Sequence, residues 1–213
     1  MSTMTYLYSL LMLAAVYLAV LASPGPNFFI LSQLSLDGRK REAQWTVLGL
    51  VTGSLFWVLL SIVGLSALLA SHPMVGASVR ILGAAYLVWY GLMLLRSAFA
   101  SRSAQQVVLN PVAVKVSPSA AYKVGLMTGM TNPKGAAFWT SAFATLLPSV
   151  APLWFHVAVV VLVTLLSLGW HFGITVVFGL PALRSRYLRF ERTINGIAGG
   201  ALVLLGTQRI VSR

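Results

Sequence analysis

The 213 residues include 15 lysines and arginines but only three acids, for a net charge of +12; 58% are hydrophobic, 8% are charged and none is cysteine. A soluble domain has about 25% charged residues, so this is a membrane protein, and the lack of cysteine excludes thiol–disulfide chemistry, cysteine-ligated clusters and a disulfide framework. The basic residues flank apolar spans and no aromatic-rich polar face is present to receive bases, which excludes nucleic acid as a partner.

A bilayer-crossing helix takes about 20 mostly apolar residues. The first apolar run, 5–35, is too long for one straight crossing and contains Pro24-Gly25-Pro26-Asn27. Proline removes a backbone donor and clashes with the preceding turn, so a broken helix is expected there. No basic stretch precedes the run, and residues 5–23 are expected to be a retained helix rather than a signal peptide. Further spans are expected at 45–70, 76–97, 121–147, 153–179 and 194–211, the fourth broken at Asn132-Pro133-Lys134-Gly135. The segment 101–120, with Asn110, Pro111 and Pro118, reads as a linker. It divides a single transporter domain, 1–213, into a first half at 1–100 and a second at 121–213.

Lysine and arginine mark the cytoplasmic loops. Arg39, Lys40 and Arg41 follow the first span; Arg96, Arg102, Lys115 and Lys123 surround the loop after the third; Arg184, Arg186, Arg189 and Arg192 follow the fifth. The other side has only Arg80, Arg209 and Arg213. Both termini are therefore expected outside. Three spans per half is an odd number, so a duplicated second half enters the membrane in the opposite sense. Tyr86-Leu87-Val88-Trp89-Tyr90-Gly91 parallels Ala201-Leu202-Val203-Leu204-Leu205-Gly206, and the first helix of each half carries the break. The expected fold is all-α: six transmembrane helices as two inverted three-helix repeats. Chance likeness among Leu- and Gly-rich helices is the alternative.

Irregular backbone inside a bilayer is tolerated only where protein or a watery cavity covers it, and matched breaks point to a transporter's binding site. Asn27 and Asn132 each offer two donors and an acceptor beside a proline. Either they join freed backbone groups in binding a zwitterion, or each satisfies its own kink. If the fourth span begins near Lys123, Lys134 lies roughly 16 Å along it at 1.5 Å per residue. That is about the middle of a hydrocarbon layer of approximately 30 Å. An intramembrane charge marks a functional site by default: here a carboxylate contact or a group that changes protonation, against a structural tie to local carbonyls. The acids Asp37, Glu42 and Glu191 all lie near the cytoplasmic basic runs. His171 is either a proton-coupling group or an interfacial residue, and His72 and His156 sit at outer boundaries. Gly49/Gly53 and Gly125/Gly129 have the spacing of close helix packing. Trp57, Trp89, Trp139 and Trp170 read as packing or anchoring aromatics.

Together these residues make the chain resemble the LysE/RhtB family of bacterial amino-acid exporters over nearly its whole length. The likeness rests on Pro24-Gly25-Pro26-Asn27, the basic loop Gly38–Arg41, Gly49 and Gly53, Gly83-Ala84-Ala85-Tyr86-Leu87 with Gly91, and Gly125 through Asn132-Pro133-Lys134 with Phe138-Trp139. One position departs from it: many relatives place an acid after the second glycine of span 2, where this chain has Ser54. The resemblance implies six spans in the inner membrane and proton-coupled efflux of amino acids or related small metabolites.

The expected function is thus a secondary exporter whose halves rock around a cavity. Asn27, Asn132 and Lys134 contact the substrate; Pro24, Gly25, Pro26, Pro133 and Gly135 form the breaks or gates; Lys134 and His171 are candidates for proton coupling. The expected partners are an amino-acid-like solute and membrane lipid, with a homo-oligomer open and no cofactor or metal called for. A passive channel or structural subunit is the alternative. A membrane enzyme is weaker, because scattered histidines and peripheral acids assemble no catalytic set.

Overall fold

A computed structural model describes residues 3–65, 73–99, 116–148 and 151–211, and these are helical apart from short connections. In chain order the helices are α1 Thr3–Ala22, α2 Pro26–Leu36, α3 Lys40–Leu60, α4 Pro73–Phe99, α5 Pro118–Thr131, α6 Pro133–Leu146, α7 Leu153–Gly179 and α8 Pro181–Val211. A wider π-type turn at Ser61–Leu65 prolongs α3. Between α2 and α3 the chain reverses in three residues, and Gly38 at φ 72° takes the left-handed conformation that a side chain would strain.

Four helical stretches are long and apolar enough to cross a bilayer alone: Thr3–Ala22, Lys40–Val63, Ile81–Phe99 and Leu153–Gly179. The expected fourth span is divided into α5 and α6, of 14 residues each, so neither half reaches across by itself. The expected sixth is the C-terminal part of a 31-residue helix, α8, that begins among the arginines. Of the expected linker, residues 101–115 lie outside the described residues. Its last positions are not linker: α5 starts at Pro118, capped by Ser117 Oγ, which accepts from the Ala120 N–H at 3.3 Å.

The helices pack in directed pairs. Tyr6 meets Trp154 and Phe155, Tyr17 bonds Ser167, and Phe28 meets Phe178, so α1 and α2 run parallel to α7. Thr46 lies against Gly125, Gly53 against Gly129, and Trp57 Nε1 donates to the Met130 carbonyl at 3.1 Å; α3 and α5 are parallel too. By contrast α4 and α8 are antiparallel, with Asn195 on Ser97, Gly199 on Gly91 and Gly206 on Ala84. The glycines packed at these seams let backbones touch, as their spacing predicts for Gly49/Gly53 and Gly125/Gly129. A Cβ added at Gly53 would lie 2.9 Å from the Gly129 Cα.

Two apolar clusters form the interior. The larger joins Leu13, Val16 and Tyr17 of α1 to Leu87 and Tyr90 of α4, Phe138 and Trp139 of α6, and Val159 and Val163 of α7. A smaller one gathers Leu31, Val47, Leu50, Val51, Ile174 and Phe178 from α2, α3 and α7. Outward, α7 exposes Leu153, Val157, Val161, Leu165 and Val176. That apolar exterior suits a lipid solvent.

Candidate functional site

Both expected breaks are present, and they meet. Gly25 is extended and Pro26 opens α2, whose ladder restarts with the Phe29 N–H donating to the Gly25 carbonyl at 3.0 Å. Extended Asn132 closes α5 and caps α6, its Oδ1 accepting from the Lys134 backbone N–H at 3.0 Å. Pro133 holds the first position of α6, where a missing N–H costs nothing. From the same amide, Asn132 Nδ2 donates to Asn27 Oδ1 at 3.0 Å, tying one break to the other.

Asn132 therefore both caps a helix and bridges two of them. Replacing it by alanine removes a cap, about 1 kcal/mol, and the bridge as well. Asn27→Ala removes the bridge alone. Asn132→Ala is expected to melt at a lower temperature than Asn27→Ala in detergent-purified protein, and equal melting would discount the cap.

Lys134 is partly buried beside this bridge. Its ammonium donates to the Ser23 carbonyl at 2.8 Å and to Ser23 Oγ at 2.6 Å, and lies 5.7 Å from the centre of the Tyr90 ring. The two Ser23 oxygens lie at the C-terminal end of α1, where helix carbonyls lack intrahelical donors and carry partial negative charge. Ser23 Oγ donates to the Val20 carbonyl at 2.9 Å, and Tyr187 OH of α8 reaches the Ala22 carbonyl at 3.3 Å. Ser23 Oγ and Tyr187 OH thus reach the Val20 and Ala22 carbonyls that Pro24 and Pro26, lacking N–H groups, leave open, while Lys134 takes the Ser23 carbonyl.

His171 is buried on α7, with Nδ1 2.8 Å from the Ser167 carbonyl. A carbonyl only accepts, so Nδ1 carries the proton in this contact and Nε2 is left for a ligand or a proton. The Ser167 hydroxyl pairs with Tyr17 OH, and the Tyr17 ring packs on Phe138 and Trp139 at centroid distances of 5.6 and 4.8 Å.

Between them lies a cavity of about 50 Å³, counted as space open to the centre of a water, with room for a few waters. Asn27, Asn132, Lys134, Gly25, Gly135 and His171 all reach it, as does Ser54. Pro24, Pro26 and Pro133 shape the breaks but do not line it. No carboxylate is among its lining residues: Asp37 accepts from Gln33 Nε2 at 3.0 Å, and Glu42 is paired with Arg39. A larger cavity of about 260 Å³ beside Ile30, Leu34 and Val124 is lined by none of the residues of the two helix breaks.

Sequence reasoning missed Ser23, Tyr17, Tyr90 and Ser167. Ser23 had a signal, a hydroxyl directly before the first proline. The tyrosines had none, because an aromatic in an apolar helix looks the same whether it packs or hydrogen-bonds. Gly25 has a milder role than its place in the motif implies. Its backbone is extended, and an added Cβ would meet Lys134 at an ordinary 3.6 Å.

Apolar helices with two broken members meeting at a polar cavity define a multi-pass membrane transporter. The chain belongs to the LysE type translocator family, which it matches over residues 18–213; that membership makes it a transporter and not an enzyme. It is 28% identical over 203 residues to the threonine efflux protein of Escherichia coli (strain K12), covering 95% of this chain and 98% of that one. Its identity to the threonine efflux protein of Salmonella typhi is also 28%, over 200 residues, 94% of this chain and 96% of the other. A third relative, the uncharacterized membrane protein YahN of Escherichia coli (strain K12), is 28% identical over 202 residues, 94% of this chain and 88% of its own. No solved structure matches.

Proposed function

We propose that the protein is a secondary exporter of amino acids or related small metabolites in the bacterial inner membrane, driven by proton entry. Asn27, Asn132 and Lys134 contact the substrate, and Lys134 and His171 are the groups placed for proton coupling. One observation carries this reading: the two broken helices are joined by the Asn27–Asn132 hydrogen bond beside a lysine, in a cavity lined by no acid. Taking an ammonium out of water is costly unless it is paired and hydrogen-bonded. Lys134 donates to two neutral oxygens of Ser23, and a substrate carboxylate completes its pairing.

Six alternating spans in two inverted halves underlie the proposal. In support, α1 and α7 run parallel, α3 and α5 run parallel, and α4 opposes α8, as alternate crossings require. The α4–α8 seam has a matching register. Gly91 packs on Gly199 and Val203, and Gly206 on Ala84 and Val88. A single sequence separation carries Ala84 to Gly199, Val88 to Val203 and Gly91 to Gly206. Such reciprocity is what a twofold axis in the membrane plane produces. The basic ends of α3, α4 and α8 then share the cytoplasmic side, with both termini outside.

The test is transport in proteoliposomes loaded with radiolabelled amino acids, threonine among them, under an imposed inward proton gradient. Gradient-dependent loss of at least one amino acid is expected. Retention of the entire panel, or loss indifferent to the gradient, would count against the exporter.

A further inference from the structure

The end of α1 presents oxygen acceptors to a cation, and hydrogen-bond counting fixes their direction. Ser23 Oγ has one proton and three partners. The Val20 carbonyl only accepts, so it takes that proton; the Lys134 ammonium only donates. Tyr90 OH must therefore be the donor in its contact with Ser23 Oγ. With its proton committed, Ser23 turns two acceptors, its hydroxyl oxygen and its carbonyl oxygen, toward the single Lys134 nitrogen. Both Ser23 and Tyr90 are buried, and the helix terminus adds the negative end of the α1 dipole. This is a preformed ammonium site, filled by the protein's own lysine.

We propose that Ser23 is the subsite for the substrate's ammonium group, that Lys134 occupies it as a stand-in when the carrier is empty, and that Tyr90 is a positioning residue. The inference rests on the exporter reading and names its substrate class: zwitterions with a primary ammonium next to a carboxylate. The substrate's ammonium takes the two Ser23 oxygens, and its carboxylate pairs with the displaced Lys134. One incoming molecule thus supplies an ammonium for Ser23 and a carboxylate for Lys134, and no buried cation is left alone. A hydroxy acid brings no cation for Ser23, and a quaternary ammonium has no proton to donate.

The experiment is counterflow of radiolabelled L-threonine in proteoliposomes of the full chain. Competitors are unlabelled L-threonine, its 2-hydroxy analogue 2,3-dihydroxybutanoate, and N,N,N-trimethylthreonine. Threonine is expected to compete at least tenfold better than either analogue. Tyr90→Phe is expected to raise the KM about tenfold, with kcat within twofold of wild type and an unchanged melting temperature. Ser23→Ala should raise the KM at least as far, and Ser23→Thr, which keeps the hydroxyl, should restore it. Intact counterflow with equal competition by the hydroxy acid, or with an unchanged KM in Tyr90→Phe, overturns the subsite alone. Absence of counterflow for threonine and for every other amino acid in the panel overturns the exporter reading, and the subsite with it.

Discussion

Lys134→Met is expected to lower kcat/KM for amino-acid efflux by at least about 100-fold while the protein still folds. Methionine keeps an unbranched chain of similar length and loses the charge. Truncating one partner of a buried, hydrogen-bonded charge pair costs about 2–5 kcal/mol, and in the proposed mechanism the partner left behind is the substrate carboxylate. The loss of the two Ser23 contacts is partly offset, because methionine brings no ammonium that needs pairing. Initial efflux rates from proteoliposomes, with melting temperature as the folding control, measure both sides. Full transport by a folded Lys134→Met variant would remove this residue from the mechanism.

The second large effect is structural. Gly125→Ala is expected to destabilise the protein by about 1–3 kcal/mol, the usual cost of overpacking a tight interior. The new methyl would lie 3.0 Å from the Thr46 Cα and carbonyl carbon, and closer still to the carbonyl oxygen. All three are backbone atoms of α3, so no rotamer change relieves the clash. Gly173→Ala on α7 is the control. Nothing lies within 4 Å of its added Cβ, and alanine is favoured over glycine in a helix by about 1 kcal/mol. Gly125→Ala should melt well below wild type and Gly173→Ala at or above it. Equal melting of the two variants would mean that the α3–α5 seam is loose.

Much of this architecture could be read from residue types alone, for identifiable reasons. Proline acts on its own backbone, so both breaks and the restart of each helix at Pro26 and Pro133 follow from local chemistry. The span expected at 153–179 matches α7, because apolarity runs unbroken between Pro152 and Pro181. Helix rotation was not legible. It decides that His171 points inward at the cavity while Trp89, an equally apolar-context residue, is exposed. Nor was the partnership of Asn27 with Asn132, since contact between residues so far apart depends on how α2 and α6 approach. The start of α5 was placed three residues late, because Ser117-Pro118 reads as linker until the Ser117 hydroxyl is seen capping a helix.

The glycine seams bear on how such a molecule moves. Each of the two closest fits, α3 on α5 and α4 on α8, fastens a helix from before residue 100 to one from after residue 115. Swinging the two halves apart as rigid blocks would unzip backbone-to-backbone contact along both fits. A sliding or tilting of α1, α2 and α7 past two fixed struts leaves both intact, whereas α6 is held to α4 where Gly83 packs on the Ser141 backbone. The chain's frame and its moving parts are then divided not by sequence order but by where glycine permits contact. Each half contributes to both.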